Sequence, residues 1–240
     1  MAELRHVLDE WGEIMISNRL SETLVSMLPS DIASAGGTLD VHAEELFEAE
    51  KKAIRSAVSK RRREFAAGRC YARTALMALG CPPQPLPVGP ARDVIWPYGF
   101  IGSISHSDTG CAAIVARTDN YCGIGLDLES DEPIEDEDLR AMICRPEERA
   151  IVWDETDLSK LLFVIKEAVF KAYYPGVRRY LEFEDLSIEL DSVRRSFRAE
   201  LVQTDAPPLA GNRSFTGPFR LCDGHLIATV AIPRSGKIPA

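Results

Sequence analysis

The sequence predicts an α+β protein with a mixed or antiparallel sheet. Three observations favour this class. A long stretch with apolar residues at three- and four-residue spacing lies in the first third, β-rich apolar runs follow it, and the last third again has strand patterns. Helices and strands are grouped rather than strictly alternating, so a regular βαβ array around a parallel sheet is not expected.

The first third contains one long helical pattern. Residues 43–79 are predicted to be helical with at most one break, and Gly80 followed by Pro82-Pro83 ends the helix. Residues 1–40 are weakly patterned, and Gly36-Gly37 indicates a loop there. The proline-rich stretch 81–93 is predicted to be an extended connector.

Strand and helix signals then follow in groups. Three runs are predicted to be strands: 99–107, 111–119 and 122–129. Two helices are expected around 146–154 and 157–173, the second ended by Pro175-Gly176. The last third is predicted to be strands, with Asp223-Gly224 as a hairpin turn.

Composition narrows the class of function. The 240 residues carry 37 acidic against 28 basic side chains, a net charge of −9, which disfavours general nucleic-acid binding. No apolar run is long enough to span a bilayer, and the start, MAELRHVLDEWGE, does not resemble a signal peptide. Six scattered cysteines without a CxxC pair disfavour a zinc site or a disulfide framework. We therefore expect a cytoplasmic protein without a membrane span.

Positive charge is nevertheless concentrated in one segment. KRRR occupies 60–63, and Arg69 and Arg73 follow on the same predicted helix. Such a patch on an acidic protein suits a compact polyanion better than a polymer. A solvated helix face with its ordinary arginines explains the same residues, and charge alone leaves both interpretations open.

The segment GIGLDLES places two carboxylates on one face of a predicted strand. Asp127 and Glu129 are two residues apart, and apolar neighbours suggest that the strand is covered. Buried carboxylates need a proton or a cation, and hard oxygen ligands suit Mg²⁺. Ordinary surface acids remain the alternative.

The helix FVIKEAVFK, 163–171, holds charges among aromatic residues. Glu167 and Lys171 have the spacing of a surface salt bridge, which is the simplest interpretation. However, Phe163 and Phe170 share the side of the helix that carries Lys166, Glu167 and Lys171. A half-buried face lining a cleft explains this mixture better.

His106 follows a glycine turn in GSISHS. A serine–histidine nucleophile pair is poorly supported, because neighbouring strand residues point to opposite faces and no GxSxG motif is present. A phosphate contact fits better, since imidazole N–H groups donate to anions.

These motifs together resemble one enzyme family. GSISH, then GLDLE, then KEAVFK, preceded by KRRREFAAGRCYAR and Trp96-Pro97, resemble the Sfp-type 4′-phosphopantetheinyl transferases, in the branch of the enterobactin and mycobacterial enzymes. The resemblance covers about residues 57–185. It implies a pseudo-dimer of two similar halves, 1–117 and 118–240, with the active site in the cleft between them. It also implies transfer of phosphopantetheine from coenzyme A (CoA) to a carrier-protein serine, releasing 3′,5′-ADP.

The resemblance also implies roles for individual residues. The expected Mg²⁺ ligands are Asp127, Glu129 and Glu167, and the expected catalytic residues are Glu167 as base with Lys171 and Lys166 offsetting charge. The expected CoA contacts are Arg61, Arg69, Arg92, Ser105, His106, Lys166 and Lys171, with Arg61 and Arg69 on the 3′-phosphate. Relatives commonly have a lysine-glycine element before the Trp-Pro, and we expect Arg92 to do that lysine's work here.

The expected partners are CoA and apo acyl or peptidyl carrier proteins of fatty-acid, polyketide or non-ribosomal peptide synthesis, including siderophore synthesis. We expect a monomer. Two other classes remain open: a non-catalytic CoA-binding protein and a Mg²⁺-dependent phosphoesterase.

Overall fold

The computed structural model describes residues 19–40, 46–150, 152–153 and 156–234. The chain forms two halves, each with an antiparallel sheet and a long helix. The first half contains α1 (Arg19–Met27), β1 (Ala33–Thr38), α2 (Glu48–Ala53), α3 (Ser59–Ala78), β2 (Phe100–His106) and β3 (Gly110–Arg117). None of the described helices has the length and apolar character needed to cross a membrane.

The second half begins with the strand that carries the paired carboxylates. Its elements are β4 (Tyr121–Ser130), α4 (Glu137–Ile143), β5 (Val152–Trp153), β6 (Thr156–Asp157), α5 (Ser159–Val177), β7 (Leu186–Asp191), β8 (Ser196–Leu201), β9 (Ser214–Cys222) and β10 (His225–Pro233). Short 3₁₀ turns occupy Glu148–Ala150 and Phe183–Asp185. This arrangement confirms the predicted α+β class and its two-half architecture.

The strand order differs between the two main sheets. The first has the order β1-β3-β2, and the second has the order β4-β10-β9-β8-β7, with every pairing antiparallel. The β9–β10 hairpin turns at Asp223-Gly224, as predicted, and pairs Cys222 with His225. Strands β5 and β6 form a separate two-stranded sheet.

Three apolar cores hold these layers together. One packs α3 against β3, and a second packs α5 against the five-stranded sheet. The third lies between the halves, where one face of β3 and the apolar residues of β4 meet α1. Because β4 contributes Ile124, Leu126 and Leu128 to this shared core, its neighbouring carboxylates lie at the junction of the halves.

Two serines of β2 form hydrogen bonds with the backbone of β4 across this junction. Ser103 Oγ accepts a hydrogen bond from the Leu126 amide at 3.0 Å, and Ser105 Oγ accepts one from the Leu128 amide at 3.2 Å. Both serines are buried. Their two-residue spacing in GSISH places them on the same face of β2, so the motif acts as a side-chain ladder between the two sheets.

Several predicted elements were wrong in detail. Gly36-Gly37 lies inside β1 rather than in a loop, because pairing with Ala112 and Cys111 of β3 stabilises that backbone. The predicted helix 43–79 breaks into α2 and α3, and its residues 43–45 lie outside the described residues. The expected helix at 146–154 is instead a 3₁₀ turn followed by β5.

Helix α5 is longer than predicted. It runs through Pro175 to Val177, and Arg178 closes it in a left-handed conformation with its amide donating to Tyr174 O. Proline removes only its own amide from the helix, so the last turn tolerates it when a capping bond follows.

Candidate active site

Helix α5 lies directly on β4 because two glycines leave room for it. A Cβ added to Gly125 would lie 1.9 Å from the Ala168 carbonyl oxygen, and one added to Gly123 would lie 2.5 Å from that of Ala172. Any other residue would force the helix away from the strand. The glycines of the GIGLDLE motif therefore allow Lys171 of the helix to reach the strand carboxylates.

Asp127, Ser105 and Lys171 form a hydrogen-bonded group. We use the name acid cluster for this group together with the nearby Glu129 and Glu167. Asp127 Oδ1 accepts from Lys171 Nζ at 2.7 Å and from Ser105 Oγ at 2.8 Å. Lys171 Nζ also donates to Ser105 Oγ at 2.9 Å. Lys171 thus pairs with Asp127 and also contacts Ser105 of the first half, and the simple surface interpretation of its spacing from Glu167 does not describe these contacts.

Ser105 supports the cluster rather than facing a ligand. Its hydroxyl is occupied by Asp127, Lys171 and the Leu128 amide, and its side chain is buried. The expectation that Ser105 contacts CoA is therefore not supported by its position. The serine hydroxyl instead hydrogen-bonds to both the Asp127 carboxylate and the Lys171 ammonium.

The carboxylates of the acid cluster repel one another. Burial raises the pKa of Glu167, and the Asp127 charge raises that pKa further. Burial followed by the Asp127 charge also raises the pKa of Glu129, although Lys160 Nζ lies 3.5 Å from Glu129 Oε2 and opposes the shift. Two carboxyl groups with raised pKa values beside a paired aspartate form an electrostatic setting that favours a bound cation.

The donor chemistry of the acid cluster fits Mg²⁺. Asp127 is 3% exposed, and its Oδ2 atom is buried without a hydrogen-bond partner among the described residues. That oxygen is available to a hard cation. The described ranges hold no group of three or more His, Cys, Asp or Glu side chains already close enough to enclose a metal ion. The carboxylates would therefore form a partial shell, which water and phosphate oxygens complete.

A basic cavity of about 410 Å³ lies on the other side of β2. Its charged and polar lining is Arg61, Glu64, Arg69, Arg92 and His106, and its apolar lining comes mainly from α2, α3, β2 and the segment before Trp96. The structure therefore brings together all three predicted arginines and the histidine. Ser105 belongs to the acid cluster and the next residue, His106, lines the basic cavity. The two sites therefore lie on opposite faces of β2.

His106 holds an arginine rather than offering Nε2 to an anion. Arg61 NH1 lies 3.1 Å from His106 Nε2 and 3.4 Å from Glu64 Oε2. A guanidinium only donates, so the imidazole accepts at Nε2. Burial lowers the pKa of His106, although Glu64 opposes the shift, and the neutral ring is the form that accepts. His106 therefore contacts Arg61 while lining the basic cavity, and its contact with a phosphate stays a prediction.

Arg69 forms the buried wall of the basic cavity. Its Nε donates to Leu86 O at 2.8 Å, and its guanidinium lies 4.2 Å from the ring centre of Phe65. Burial lowers the pKa of Arg69 to about 10. The group therefore stays protonated at neutral pH, fixed in orientation by the carbonyl and the ring.

Arg92 reaches the basic cavity from an unusual backbone conformation. Its φ of 61° lies in the left-handed region, where residues with a side chain are strained. It occupies a turn in which the Arg92 amide donates to Gly89 O at 3.0 Å and the Gly89 amide donates to Asp93 O at 2.8 Å. Arg92 thus lines the basic cavity together with Arg61 and Arg69, and its contact with CoA stays a prediction.

A smaller cavity of about 200 Å³ lies beside Glu167. Phe170, Tyr180, Leu181 and Phe183 contribute most of its apolar lining. The Phe170 and Tyr180 ring centres are 5.0 Å apart, which keeps this wall ordered. We call it the apolar cavity.

Lys166 lines the apolar cavity next to Glu167, but its ammonium group is engaged by other residues. Its Nζ is buried and pairs with Glu148 Oε2 at 2.6 Å, and it also donates to Ile143 O at 2.8 Å and Phe183 O at 3.0 Å. Burial lowers its pKa, and Glu148 opposes the shift. These three contacts hold α4, α5 and the two 3₁₀ turns together. They give Lys166 a structural role, and its catalytic role and its contact with CoA stay predictions that these contacts do not support.

Two acidic residues that contact the predicted site residues, Glu64 and Glu148, were not predicted from the sequence. Glu64 lies three residues after Arg61 on α3, and this helical spacing could have predicted the Arg61–Glu64 contact. Glu148 lies 18 residues before Lys166, and its carboxylate also accepts from the Arg145 and Ile188 amides. No local pattern marks such a contact, because three separate segments create it.

Comparison with known proteins gives a consistent family. Residues 49–116 match the model of the 4′-phosphopantetheinyl transferase N-terminal domain, and residues 123–228 match that of the 4′-phosphopantetheinyl transferase superfamily. The chain is 34% identical over 200 residues to the 4′-phosphopantetheinyl transferase Svp of Streptomyces mobaraensis, covering 78% of each chain.

Two other relatives extend this finding. The chain is 34% identical over 222 residues to the 4′-phosphopantetheinyl transferase Npt of Nocardia iowensis, covering 86% of this chain and 98% of the relative. It is 36% identical over 152 residues to the 4′-phosphopantetheinyl transferase PptT of Mycobacterium tuberculosis, covering 60% of this chain and 64% of the relative.

Proposed function

This chain belongs to the 4′-phosphopantetheinyl transferase family, and from that premise we propose that it moves the phosphopantetheine group of CoA to a serine of an acyl or peptidyl carrier protein. The released product is 3′,5′-ADP. One observation carries the assignment of the site: consecutive residues Ser105 and His106 connect the acid cluster to the basic cavity. A nucleotide bound in the cavity would direct its pyrophosphate across β2 toward the carboxylates.

The basic cavity is the proposed site of the nucleotide phosphates. Its volume of about 410 Å³ lies within the ordinary range of small-molecule sites, roughly 300–1,000 Å³. Arg61, Arg69 and Arg92 line it, and a guanidinium matches the oxygens of a phosphate with two parallel donors. Arg61 and Arg69 would hold the 3′-phosphate, and Arg92 would approach from the turn at the cavity mouth.

The acid cluster is the proposed site of the pyrophosphate. Asp127, Glu129 and Glu167 would hold Mg²⁺, which when bound offsets the charge of the pyrophosphate and of the leaving phosphate. Lys171 lies 2.7 Å from Asp127 and supplies a fixed positive charge at the same place. This residue would stabilise the negative charge that develops on the bridging oxygen as the bond breaks.

Glu167 is the proposed general base. The serine hydroxyl oxygen attacks the pantetheine-linked phosphorus, the bond from that phosphorus to the 3′,5′-ADP oxygen breaks, and the serine proton passes to the Glu167 carboxylate. Its raised pKa makes Glu167 a better proton acceptor than an ordinary glutamate when it is ionised. The apolar cavity beside Glu167 offers a place for the pantetheine arm, whose chain is largely apolar between its amides.

Intact-mass measurement of a carrier protein tests this proposal. Apo-carriers from fatty-acid, polyketide, siderophore and other peptide synthases are incubated with the protein, CoA and Mg²⁺ and then weighed. We expect at least one carrier to gain one phosphopantetheinyl group, and the same carrier with serine replaced by alanine to gain none. CoA cleavage without attachment would indicate a phosphoesterase, and CoA binding without either reaction would indicate a non-catalytic binder.

A further inference from the structure

An ion pair joins the turn that carries Arg92 to the end of α5. Arg92 has φ 61° in the first half and Arg178 has φ 59° in the second, and Asp93 directly follows Arg92 in the sequence. Asp93 Oδ2 accepts from Arg178 NH1 at 3.1 Å. Strain persists in a fold only where surrounding contacts over-determine it, and this ion pair is one contact that holds the residue next to Arg92 against the residue that ends α5.

The turn Gly89–Asp93 is tightly packed around this contact. A Cβ on Gly89 would lie 2.2 Å from Asp93 Oδ1, so the carboxylate lies against the glycine backbone. That Oδ1 atom is buried without a hydrogen-bond partner in the part of the chain that the structure describes. The pair with Arg178 is therefore the contact that offsets the cost of holding this carboxylate in place.

The other end of the ion pair is fixed to the catalytic helix. Arg178 caps α5, its amide donates to Tyr174 O at 2.7 Å, and its guanidinium lies 5.8 Å from the Tyr174 ring centre. The same helix carries Glu167 and Lys171. The ion pair thus connects the turn that presents Arg92 to the helix that presents the proposed base.

We propose that Asp93 and Arg178 are positioning residues that hold Arg92 at the mouth of the basic cavity, so that binding of the nucleotide phosphates depends on contact between the two halves. This inference rests on the proposed function, because it takes the ligand of the cavity to be a nucleotide with phosphates on the 3′ and 5′ positions. Arg92 touches the ligand, whereas Asp93 and Arg178 act through Arg92.

Whether Asp93→Asn strengthens or weakens anion binding distinguishes a positioning role of Asp93 from a long-range electrostatic effect. Removing the negative charge of Asp93 would strengthen anion binding if only the long-range field mattered. If Asp93 positions Arg92, the same change weakens anion binding. Exposed ion pairs contribute modestly, so Asp93→Asn and Arg178→Gln should each weaken binding about two- to fivefold.

Calorimetric titration with 3′,5′-ADP tests the inference without any transfer reaction. We expect Arg92→Ala to weaken binding about tenfold or more, since a charge-assisted contact is lost. In the Arg92→Ala background, Asp93→Asn should have no further effect. Arg179→Gln is the matched control: Arg179 pairs with Asp205 at 3.0 Å within the second half, and its loss should leave binding unchanged.

The outcomes are distinguishable. Wild-type protein that does not bind 3′,5′-ADP would overturn both the proposed function and this inference. Wild-type binding together with unchanged or tighter binding by Asp93→Asn would overturn the positioning role alone. A weakening by Asp93→Asn that persists in full when Arg92 is already alanine would overturn it as well.

Discussion

Asp127 is the residue on which most of the proposed chemistry depends. Its Oδ1 is fully engaged by Lys171 and Ser105, whereas its Oδ2 is buried and unpartnered among the described residues. One carboxylate therefore combines a fixed ion pair with an oxygen free for a cation. The two-residue spacing predicted that Asp127 and Glu129 lie on the same face of a strand. Only the structure shows that Lys171 of α5 contacts Asp127.

Replacing this carboxylate should remove activity without unfolding the protein. We expect Asp127→Asn to lower the transfer rate by about 10²–10³-fold, the loss typical of a fixed electrostatic group in an active site. Mg²⁺ should raise the melting temperature of the wild type more than that of the variant, since a ligand stabilises only the state that binds it. Carrier mass spectrometry and a thermal melt measure these effects. An active variant with an unchanged Mg²⁺ response would contradict the assignment.

Arg92 offers a test that separates strain from binding. Glycine adopts positive φ without the penalty of about 1–2 kcal/mol that a side chain pays. Arg92→Gly should therefore be more stable than Arg92→Ala by about 1 kcal/mol, while both lose the same affinity for CoA because both lack the guanidinium. Urea denaturation and CoA titration of the two variants measure this. Equal stability of the pair would show that the turn does not hold residue 92 at positive φ.

At the scale of elements, the contact between α5 and β4 decides the geometry of the acid cluster. Gly125 packs beneath Ala168, and Gly123 packs beneath Ala172. No sequence pattern marks these two glycines, because a glycine's role as a space for a facing helix is invisible until the helix is placed. The helix itself was predictable from its periodicity.

Adding a methyl group at this contact should damage both stability and activity. Gly125→Ala should destabilise the fold by about 1–3 kcal/mol, the usual cost of overpacking, and should lower turnover by separating Lys171 from Asp127. Gly176→Ala is the control, because its new methyl would come closest to the flexible Leu209 side chain, at 2.6 Å, and would meet the Cys122 carbonyl oxygen at an ordinary contact distance of 3.8 Å. Denaturation curves and transfer rates compare the two. Full activity of Gly125→Ala would show that α5 does not rest on β4 as described.

The buried pair Lys166–Glu148 belongs to stability rather than to chemistry. Lys166→Met leaves Glu148 buried without its counter-charge, so unfolding should become easier by about 3–5 kcal/mol. At a temperature where this variant remains folded by circular dichroism, the turnover number should stay within a few-fold of the wild type. A folded Lys166→Met protein with abolished turnover would instead support the predicted catalytic role of Lys166.

At the scale of the whole molecule, the proposed active site draws its residues from both halves. Asp127 and Lys171 come from the second half, Ser105 from the first, and the basic cavity is formed by α2, α3, β2 and the turn at Arg92. The motif order in the sequence predicted a set of site residues, and the structure brings Ser105, Asp127 and Lys171 of that set into contact. The motif order could not predict their partners, because Ser105 and Lys171 lie 66 residues apart and only the seam between β2 and β4 brings them together.

Contacts between distant segments also explain why the surroundings of Lys166 and His106 differ from those predicted. Lys166 and Glu167 are neighbours in the sequence, yet a helix turns about 100° per residue, so one faces the interior and the other the cleft. His106 was expected to donate to phosphate, but Arg61 and Glu64 of α3 already surround its ring. Long-range packing determined both outcomes, and sequence patterns of a single helix or strand carry no record of it.

The central claim is that both cavities and the acid cluster act as one site for transfer from CoA to a carrier serine. Its most direct test measures two products in one reaction: 3′,5′-ADP released and carrier protein modified. We predict equal amounts of the two with the wild type, and neither with Asp127→Asn. Release of 3′,5′-ADP without modified carrier for every acceptor tested, or modified carrier at the wild-type rate with Asp127→Asn, would contradict the account.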